Sequence, residues 1–574
     1  MRKILRHMKE YRKESVCAPL FKLLEALFEL FVPLVMARII DIGIANGDHG
    51  YIVRMCLVMA ALGLIGLICS ITAQYFAAKA AVGFAAKVRH ELFAHIQSLS
   101  FSEMDVCGTS TLITRMTSDI NQVQSGVNLF LRLFLRSPFI VFGAMVMAFT
   151  IDVKAAMIFV VVIPILCVIV FGIMLASIPL YRKVQERLDR VTGMTRENLQ
   201  GVRVIRAFRR EEKEIEIFEQ GNEALVGIQV LSGRISALMN PLTYVVINGG
   251  LLVLLYTGAI RVDGGFITQG AVVALVNYMS QILVELIKLA NLVLNITRAV
   301  ACCNRIGAVL EIESSQHNPQ TEPETTADAP AIEFRRAGLR YAGAGGDALD
   351  GISFRAEKGQ TIGVIGGTGS GKTTLVNLIP RFYDATEGSV LVDGVPVEQY
   401  PLESLRRRIG VVPQKAVLFH GTIRENLLWG DPDAGDGTLR EALCAAQAEE
   451  IVQGKEGGLD FEIEQGGRNL SGGQRQRLTI ARALVRKPEI LILDDSASAL
   501  DFATDAALRK ALRALPERPT VVIVSQRTSS IRHADQIIVL DNGHMVGLGT
   551  HEELLRTCEV YREIHESQYK KEER

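Results

Sequence analysis

The chain has 574 residues, of which 49% are hydrophobic, and its 62 basic and 62 acidic side chains leave no net charge at pH 7. A mean hydropathy of +0.25 would be unusual for a soluble protein, and the absence of a basic excess gives no indication of nucleic-acid binding. Nine cysteines without a C-x-x-C spacing indicate reduced thiols rather than a disulfide or zinc framework.

The N-terminal segment, residues 1–13, carries cations interspersed with apolar residues such as Ile4 and Met8. This pattern is typical of a helix that lies at the membrane surface. A cleaved signal peptide is excluded, because the apolar stretch that follows is long and contains Lys22, Glu25 and Glu29.

Apolar runs of about 20 residues, the length that a hydrocarbon core requires, predict six membrane spans. Short turns join spans 1 and 2, 3 and 4, and 5 and 6, whereas two long, basic, helix-patterned connections follow spans 2 and 4. By the positive-inside rule these connections, the N-terminus and the C-terminal domain are cytoplasmic, so we expect a multi-pass protein of the plasma membrane. The predicted spans are residues 17–40, 52–77, 130–149, 155–178, 241–260 and 267–294.

Polar residues inside the spans mark candidate substrate contacts, since ionisable groups are costly in a membrane unless they face a partner, water or a ligand. Span 6 has a polar stripe at helical spacing that includes Asn277, Gln281 and Glu285, and span 1 has Glu25 and Glu29 on one face. Two interpretations stay open. The acids pair with neighbouring lysines or face a water-filled vestibule, or they receive an amphipathic cation, with Glu29 as the surplus acid.

Residues 311–331 hold three prolines, five acids and almost no large apolar side chain. This composition predicts a linker. It separates a membrane domain, residues 1–310, from a second domain, residues 332–574.

A phosphate-binding loop follows a β-branched and aliphatic run, residues 361–365, in the second domain. Its glycines let successive backbone N–H groups point at phosphate oxygens, Lys372 adds a positive charge, and the Thr373 hydroxyl can bind Mg²⁺. The loop therefore predicts a nucleoside triphosphate and Mg²⁺ as ligands. Its residues are Gly366, Gly367, Thr368, Gly369, Ser370, Gly371, Lys372, Thr373 and Thr374.

A second motif opens a helix with a hydroxyl and two glycines, so that a positive helix end can converge on a phosphate. A buried strand then delivers the Asp494 carboxylate at its C-terminal end, where α/β folds bind their ligands. With these motifs the chain from residue 332 to about residue 569 resembles the ATP-binding cassette (ABC) proteins. The signature residues are Leu470, Ser471, Gly472, Gly473 and Gln474.

The resemblance assigns roles to further residues. It implies that Tyr341 stacks on adenine, that Gln414 contacts Mg²⁺ and the attacking water, and that Asp494 is the Walker B ligand of Mg²⁺. Asp501 ends the D-loop, residues 498–501. The resemblance also implies that two cassettes meet head to tail, with each ATP between the Walker A loop of one chain and the signature of the other.

With six spans before the cassette, the whole chain resembles the half-size ABC exporters. The implied fold is a multidomain membrane protein. An all-α six-helix transmembrane domain with long cytoplasmic helical extensions precedes an α/β P-loop ATP-binding cassette. Coupling helices, which dock on cassettes in that family, are expected near residues 101–108 and 201–208.

Two catalytic positions depart from the family pattern. Asp495 stands where the family has a Glu as the catalytic base, and a misplacement of about 1 Å can cost roughly a hundredfold in rate. Gln526 replaces the switch His, and an amide cannot carry a proton or a charge. Either these residues work well enough, or they mark a degenerate site in a chain whose partner carries Glu and His.

The sequence thus predicts ATP-driven export of an amphipathic small molecule, drug-like or lipid-like, by one half of a heterodimer. Turnover would occur mainly at the composite site that uses this chain's signature. An alternative is an ATP-binding regulatory subunit that gates a partner without moving substrate. A soluble ABC-type ATPase of DNA repair is excluded by the six spans.

Overall fold

The computed structural model describes Ile4 and residues 6–326, 328–496 and 498–569. The chain forms two compact units, each described by itself below. The first consists of Met1–Gln97 and Ser110–Ile312, and the second of Ser98–Thr109 and Glu313–Arg574.

Long helices build the first unit. Asp152 caps the N-terminus of its longest helix by accepting a hydrogen bond from the Ala155 N–H at 2.8 Å, which satisfies one of the free donors there. Thr268 caps the last helix in the same way through Ala271. The helices of the chain up to residue 310 are α1 Arg12–Arg38, α2 His49–Ser98, α3 Phe101–Cys107, α4 Thr109–Thr114, α5 Ile120–Leu133, α6 Arg136–Ile151, α7 Val153–Ala207, α8 Glu211–Ala237, α9 Met239–Asp263 and α10 Gln269–Leu310.

Among the described residues, five helical stretches are long and apolar enough to cross a membrane. They contain predicted spans 2 to 6, which confirms a helical transmembrane domain. The first predicted span lies on α1, whose 27 residues are long enough but include Lys22, Glu25 and Glu29. The crossing of α1 therefore stays a prediction. The five stretches are His49–Ser98, Thr109–Ile151, Val153–Ala207, Glu211–Asp263 and Gln269–Leu310.

The boundaries of several elements differ from the prediction. α2 and α7 continue far beyond their apolar parts, and α7 does so although it contains Pro164 and Pro179. Residues 201–208 are the exposed C-terminal end of α7 and the turn after it, so the structure has no separate helix there. Predicted span 3, residues 130–149, is interrupted by a turn at Phe134 and Leu135 between α5 and α6.

The N-terminal segment is only partly described, since residues 1–3 and 5 lie outside the described residues. Arg6–Tyr11 form a 3₁₀ turn that leads into α1. Glu10 of this segment pairs with Lys87 of α2 at 3.2 Å, and Glu14, directly after the segment, pairs with Lys79 of α2 at 2.9 Å. Ion pairs with α2 therefore hold this segment, a contact that the prediction of a surface helix did not include.

The second unit is built on a six-stranded sheet with the order β12-β11-β3-β10-β9-β6. All neighbours in it are parallel except β11 and β12. A four-stranded antiparallel sheet has the order β2-β1-β4-β5. The strands are β1 Ile332–Leu339, β2 Leu349–Ala356, β3 Thr361–Gly366, β4 Glu387–Val392, β5 Val395–Pro396, β6 Ile409–Val412, β7 Gly421–Thr422, β8 Glu462–Ile463, β9 Ile490–Asp494, β10 Thr520–Val524, β11 Gln536–Asp541 and β12 His544–Gly549.

The central strands β3, β9 and β10 consist almost wholly of buried β-branched and aliphatic residues, as expected of parallel strands covered on both faces. In the register of the sheet, Val524 lies beside Asp494 and Leu540 beside Gly366. Polar side chains that follow these strands therefore meet at one edge. The helices of this unit after α10 are α11 Lys372–Leu378, α12 Leu402–Arg408, α13 Ile423–Leu428, α14 Asp436–Ala445, α15 Glu449–Gln453, α16 Gly472–Val485, α17 Phe502–Arg513, α18 Thr528–Ile531, α19 His551–Thr557 and α20 Glu559–Tyr569.

Candidate functional site

The phosphate-binding loop joins the end of β3 to the start of α11. Gly369 and Gly371 have φ angles of 82° and 96°, which side chains rarely tolerate. A Cβ atom on Gly366 would lie 2.1 Å from the Leu540 carbonyl oxygen. Glycine is thus required by the fold at these positions.

Lys372, the first residue of α11, points back over the loop. Its Nζ donates to the carbonyl oxygens of Gly366 at 2.9 Å and Gly367 at 2.6 Å. Burial lowers the pKa of this ammonium group, and the nearby carboxylates of Asp494 and Asp495 raise it. Ser370 is buried beneath the loop, with its N–H donating to the Gly367 oxygen at 3.3 Å. The charge of Lys372 therefore lies where phosphate oxygens would approach.

The predicted magnesium ligands lie side by side. The Thr373 hydroxyl donates to the Asp494 carboxylate at 3.0 Å, and burial raises the pKa of that carboxyl. A buried carboxylate next to a hydroxyl is an oxygen donor pair of the type that Mg²⁺ prefers. The described residues contain no group of three His, Cys, Asp or Glu side chains that could hold a metal unaided, in keeping with a Mg²⁺ that also binds nucleotide phosphates.

Asp495, at the position of the family's catalytic base, directly follows Asp494 in the sequence. The Gln414 amide Nε2 donates to the Asp495 carboxylate at 3.4 Å, and Asp495 has a φ of 46°, in the left-handed region. Burial raises the pKa of Asp495, while Gln414, Lys372 and Arg527 lower it. Gln526 follows β10 and is exposed. The structure thus brings Asp495 and Gln526, the two residues that differ from the family pattern, to one cleft.

Tyr341, the residue predicted to stack on adenine, lines one part of the cleft. Its hydroxyl donates to the Thr374 Oγ1 at 3.1 Å, and its ring contacts Tyr383 edge-on, with 5.2 Å between the centroids. The stacking of Tyr341 on adenine stays a prediction. The cleft has a volume of about 510 Å³, and the predicted site residues that line it are Tyr341, Thr368, Gly369, Gly371, Lys372, Thr373, Thr374, Gln414, Asp494, Asp495 and Gln526.

The signature forms a separate feature. Ser471 caps α16 by accepting from the Gln474 N–H at 3.3 Å, and the Gln474 side chain accepts from the Ser471 N–H at 3.0 Å, a capping box. Gly472 and Gly473 form the first turn of α16. Asp501 similarly caps α17 through the Thr504 N–H at 2.8 Å. Residues 470–474, all described, do not line the cleft, so within one chain the signature has no nucleotide to contact.

The short helix α3 belongs to the same compact unit as the cassette. The Phe101 ring packs on Phe382 with 4.9 Å between the centroids, and Asp105 accepts from the Tyr383 hydroxyl at 2.6 Å. Burial and the Asp105 carboxylate raise the pKa of Tyr383. Since Tyr383 also contacts Tyr341, α3 is connected to the cleft through these two tyrosines.

Three of the five candidate substrate residues of the membrane domain, Glu25, Glu29 and Glu285, belong to a charge cluster. The buried Glu285 carboxylate accepts from Arg136, at 2.7 Å, and from Ser137 and Lys288. Arg136 also donates to Glu29 at 2.7 Å. The prediction that Glu29 is a surplus acid is therefore wrong, since Arg136 neutralises it. Arg136 was missed by the sequence analysis, although a cation inside an apolar run, here with Arg132 four residues earlier, is a signal.

The rest of the cluster follows the pairing interpretation. Lys22 donates to Glu25 at 2.5 Å, and Asn277 donates to a backbone carbonyl of its own helix. Gln281 is half-buried on α10. Three carboxylates and three cations balance, so the cluster gives no preference for a cationic substrate. Its charged members are Lys22, Glu25, Glu29, Arg136, Glu285 and Lys288.

We expect Glu285→Gln to lower the thermal stability of the chain far more than Glu29→Gln does. The side chain of Glu285 is 4% exposed and that of Glu29 is 41% exposed. Removing one partner of a buried ion pair costs about 3–5 kcal/mol of unfolding free energy. Thermal unfolding of both variants in lipid nanodiscs is the measurement. Equal shifts in melting temperature would contradict the burial argument.

The comparisons with known proteins agree with this geometry. Residues 16–286 match the ABC transporter transmembrane region, and residues 349–498 match the ABC transporter family model. An uncharacterized ABC transporter ATP-binding protein of Mycobacterium tuberculosis is 39% identical over 98% of this chain and 97% of its own length. An ATP-dependent lipid A-core flippase of Hahella chejuensis is 30% identical over 98% of both chains.

A solved structure shares the fold. The structure of a bacterial Atm1-family ABC exporter with ATP bound superposes with a TM-score of 0.79 at 22% identity, covering 97% of this chain and 98% of the other. The resemblance found in the sequence is thereby confirmed. With a membrane-spanning helical domain and a cytoplasmic ATPase cassette in one polypeptide, the chain belongs to the ABC transporters and has the fold of a half-size exporter.

Proposed function

We propose that the chain is the degenerate-site half of a heterodimeric exporter that uses MgATP to move an amphipathic small molecule, drug-like or lipid-like, out of the cytoplasm. The observation that carries the proposal is the presence of Asp495 and Gln526 in one cleft that is otherwise complete. The signature, by contrast, keeps all of its expected residues.

The chemistry of the cleft supports slow hydrolysis. A general base must come within about 2.6–3.2 Å of the water that it deprotonates, and Asp495 is one methylene shorter than Glu. Its carboxylate is also engaged by Gln414. Gln526 offers only a neutral amide to a γ-phosphate. ATP would bind to Lys372 and the loop, with Mg²⁺ held by Thr373 and Asp494, but it would turn over slowly.

The signature supports the second part of the proposal. Because the capping box of Ser471 and Gln474 is already formed, the start of α16 is ready to contact the ATP held by a partner's Walker A loop. That partner would carry the Glu and His that this chain lacks. Hydrolysis at the composite site would then depend on this chain's signature and not on its Asp495.

The amphipathic substrate rests on the membrane domain. An apolar groove of about 630 Å³ between α1 and α6 is lined by residues such as Leu27, Phe31 and Phe142. Arg136 and Glu29 lie on the same two helices and pair with each other outside the lining of this groove. The name of the Hahella chejuensis relative, a lipid A-core flippase, agrees with a lipid-like molecule.

Contacts of α3 with Phe382 and Tyr383 support a coupling role for residues 101–108.

The purified chain alone should bind MgATP but hydrolyse it at well below 1–10 per second, roughly the lower end of typical enzyme turnover. Any homodimer would contain two sites with Asp495 and Gln526. Addition of a half-size exporter from the same genome with Glu and His at these positions should restore turnover. Equilibrium nucleotide binding and steady-state ATPase of the chain, the partner and the mixture are the measurements.

The lone-chain result also separates the alternatives. Hydrolysis by the lone chain at ordinary exporter rates would contradict the heterodimer. Restored ATPase in the mixture without uptake of any amphipathic dye into inverted vesicles would instead favour the regulatory subunit.

A further inference from the structure

The C-terminal helix α20 holds the loop that follows β10. Gln568 on this helix accepts hydrogen bonds from the Thr528 N–H at 2.9 Å and from the Thr528 hydroxyl at 2.8 Å. Its amide Nε2 donates to the backbone oxygen of Gln526 at 2.7 Å. The Gln568 side chain thus makes three hydrogen bonds to the loop that contains Gln526, the residue at the position of the family's switch His.

The helix that carries Gln568 is itself held in place. Tyr561 is fully buried, and its hydroxyl lies 2.7 Å from the His551 Nδ1. Leu554 and Cys558, just before α20, belong to the same apolar core. The first two turns of α20 thus pack on the core of the cassette, and Gln568 follows in its last turn.

The same loop is held from the other side by α17, the helix that Asp501 caps. The Arg509 Nη1 donates to the Ser529 backbone oxygen at 3.1 Å, and the Ser530 hydroxyl donates to Asp505 at 3.2 Å. Thr528 is fully buried between these contacts. Gln526, two residues earlier, is exposed, and its main-chain position depends on the hydrogen bond from Gln568.

We propose that Gln568 is a positioning residue for the γ-phosphate contact of Gln526. The inference rests on the proposed function, in which Gln526 contacts that phosphate. The amide of Gln526 is uncharged, so its contact with a phosphate contributes little more binding free energy than one neutral hydrogen bond. A small displacement of the backbone would therefore be enough to lose that contribution. Gln568 sets that placement by acting as donor to Gln526 and acceptor from Thr528 at once.

The test compares Gln568→Glu with the parent chain. Glutamate keeps the length and the acceptor for Thr528 but cannot donate to the Gln526 oxygen. In the full-length chain in nanodiscs, the Kd for MgATP should rise about fivefold to tenfold, the equivalent of one hydrogen bond. The Kd for MgADP, which has no γ-phosphate, should stay unchanged. Glu563→Gln, an exposed change on the same helix, is the control and should alter neither Kd.

Two further variants complete the experiment. Gln568→Ala should shift the ratio of the two Kd values in the same direction, and its melting temperature reports on folding. In a Gln526→Ala background, Gln568→Glu should have no further effect on the ratio. Equal weakening of ATP and ADP, or a full effect in the Gln526→Ala background, would show a general structural role and overturn the proposal.

The same data distinguish the two levels of the argument. If Gln526→Ala alone leaves the preference for ATP over ADP unchanged, the γ-phosphate contact assigned under the proposed function fails, and the positioning role fails with it. If Gln526→Ala lowers the preference but Gln568→Glu does not, only the positioning role is overturned.

Discussion

Gly473→Asp should reduce the ATP turnover of the heterodimer by at least about a hundredfold, the loss expected when one donor to a developing anion is removed, whereas Asp495→Asn should change it by less than about twofold. A Cβ atom on Gly473 would lie 3.2 Å from the Ala499 oxygen, and the carboxylate would repel phosphate. The composite site that hydrolyses ATP would lose its signature contact in Gly473→Asp, whereas Asp495→Asn would leave all residues of that site unchanged.

The measurement is steady-state ATPase of matched heterodimers in nanodiscs. Gly435→Asp is the control, because Gly435 is exposed with open space around its Cβ position, and the same chemical change there should leave turnover intact. Equal losses in Gly473→Asp and Asp495→Asn would mean that both composite sites work, and the asymmetry would have to be abandoned.

The double change Asp495→Glu with Gln526→His should raise the ATPase rate of the lone chain by roughly ten- to a hundredfold. The added methylene returns the carboxylate to the reach of a general base, and the imidazole can donate a charged hydrogen bond to a γ-phosphate. Each single change should give a smaller gain, since the two groups act on the same phosphate.

The matched control is Asp494→Glu, the same chemical change one residue earlier. Asp494 is buried and hydrogen-bonded to Thr373, so a longer side chain there should displace the magnesium ligand and lower the rate. An unchanged rate in the double variant, in a sample that elutes as a dimer, would show that Asp495 and Gln526 do not limit hydrolysis.

The nucleotide cleft was largely predictable because its parts are local. The phosphate-binding loop depends on glycines and Lys372 within a few residues, and the capping box of α16 depends on Ser471 and Gln474, three residues apart. The burial of β3, β9 and β10 follows from their β-branched and aliphatic composition. Elements of this kind need little information from the rest of the chain.

The membrane cluster was predicted only in part, for a physical reason. The pairs of Lys22 with Glu25 and of Lys288 with Glu285 follow from helical spacing, since residues three apart share a face. Arg136 donates to Glu285, 149 residues away in sequence, and to Glu29, 107 residues away. No periodicity within one helix could have indicated these contacts.

By itself the sequence determined the family, the order of the two domains, the phosphate-binding loop and the two departures at Asp495 and Gln526. Each of these features can be recognised from the types of residues that lie close together in the sequence. Only the tertiary structure decided that Arg136 neutralises Glu29, that residues 201–207 continue α7, and that Gln568 holds the loop of Gln526. Such contacts join segments that are distant in sequence. Their partners are chosen by the packing of whole helices and sheets, and not by local propensity.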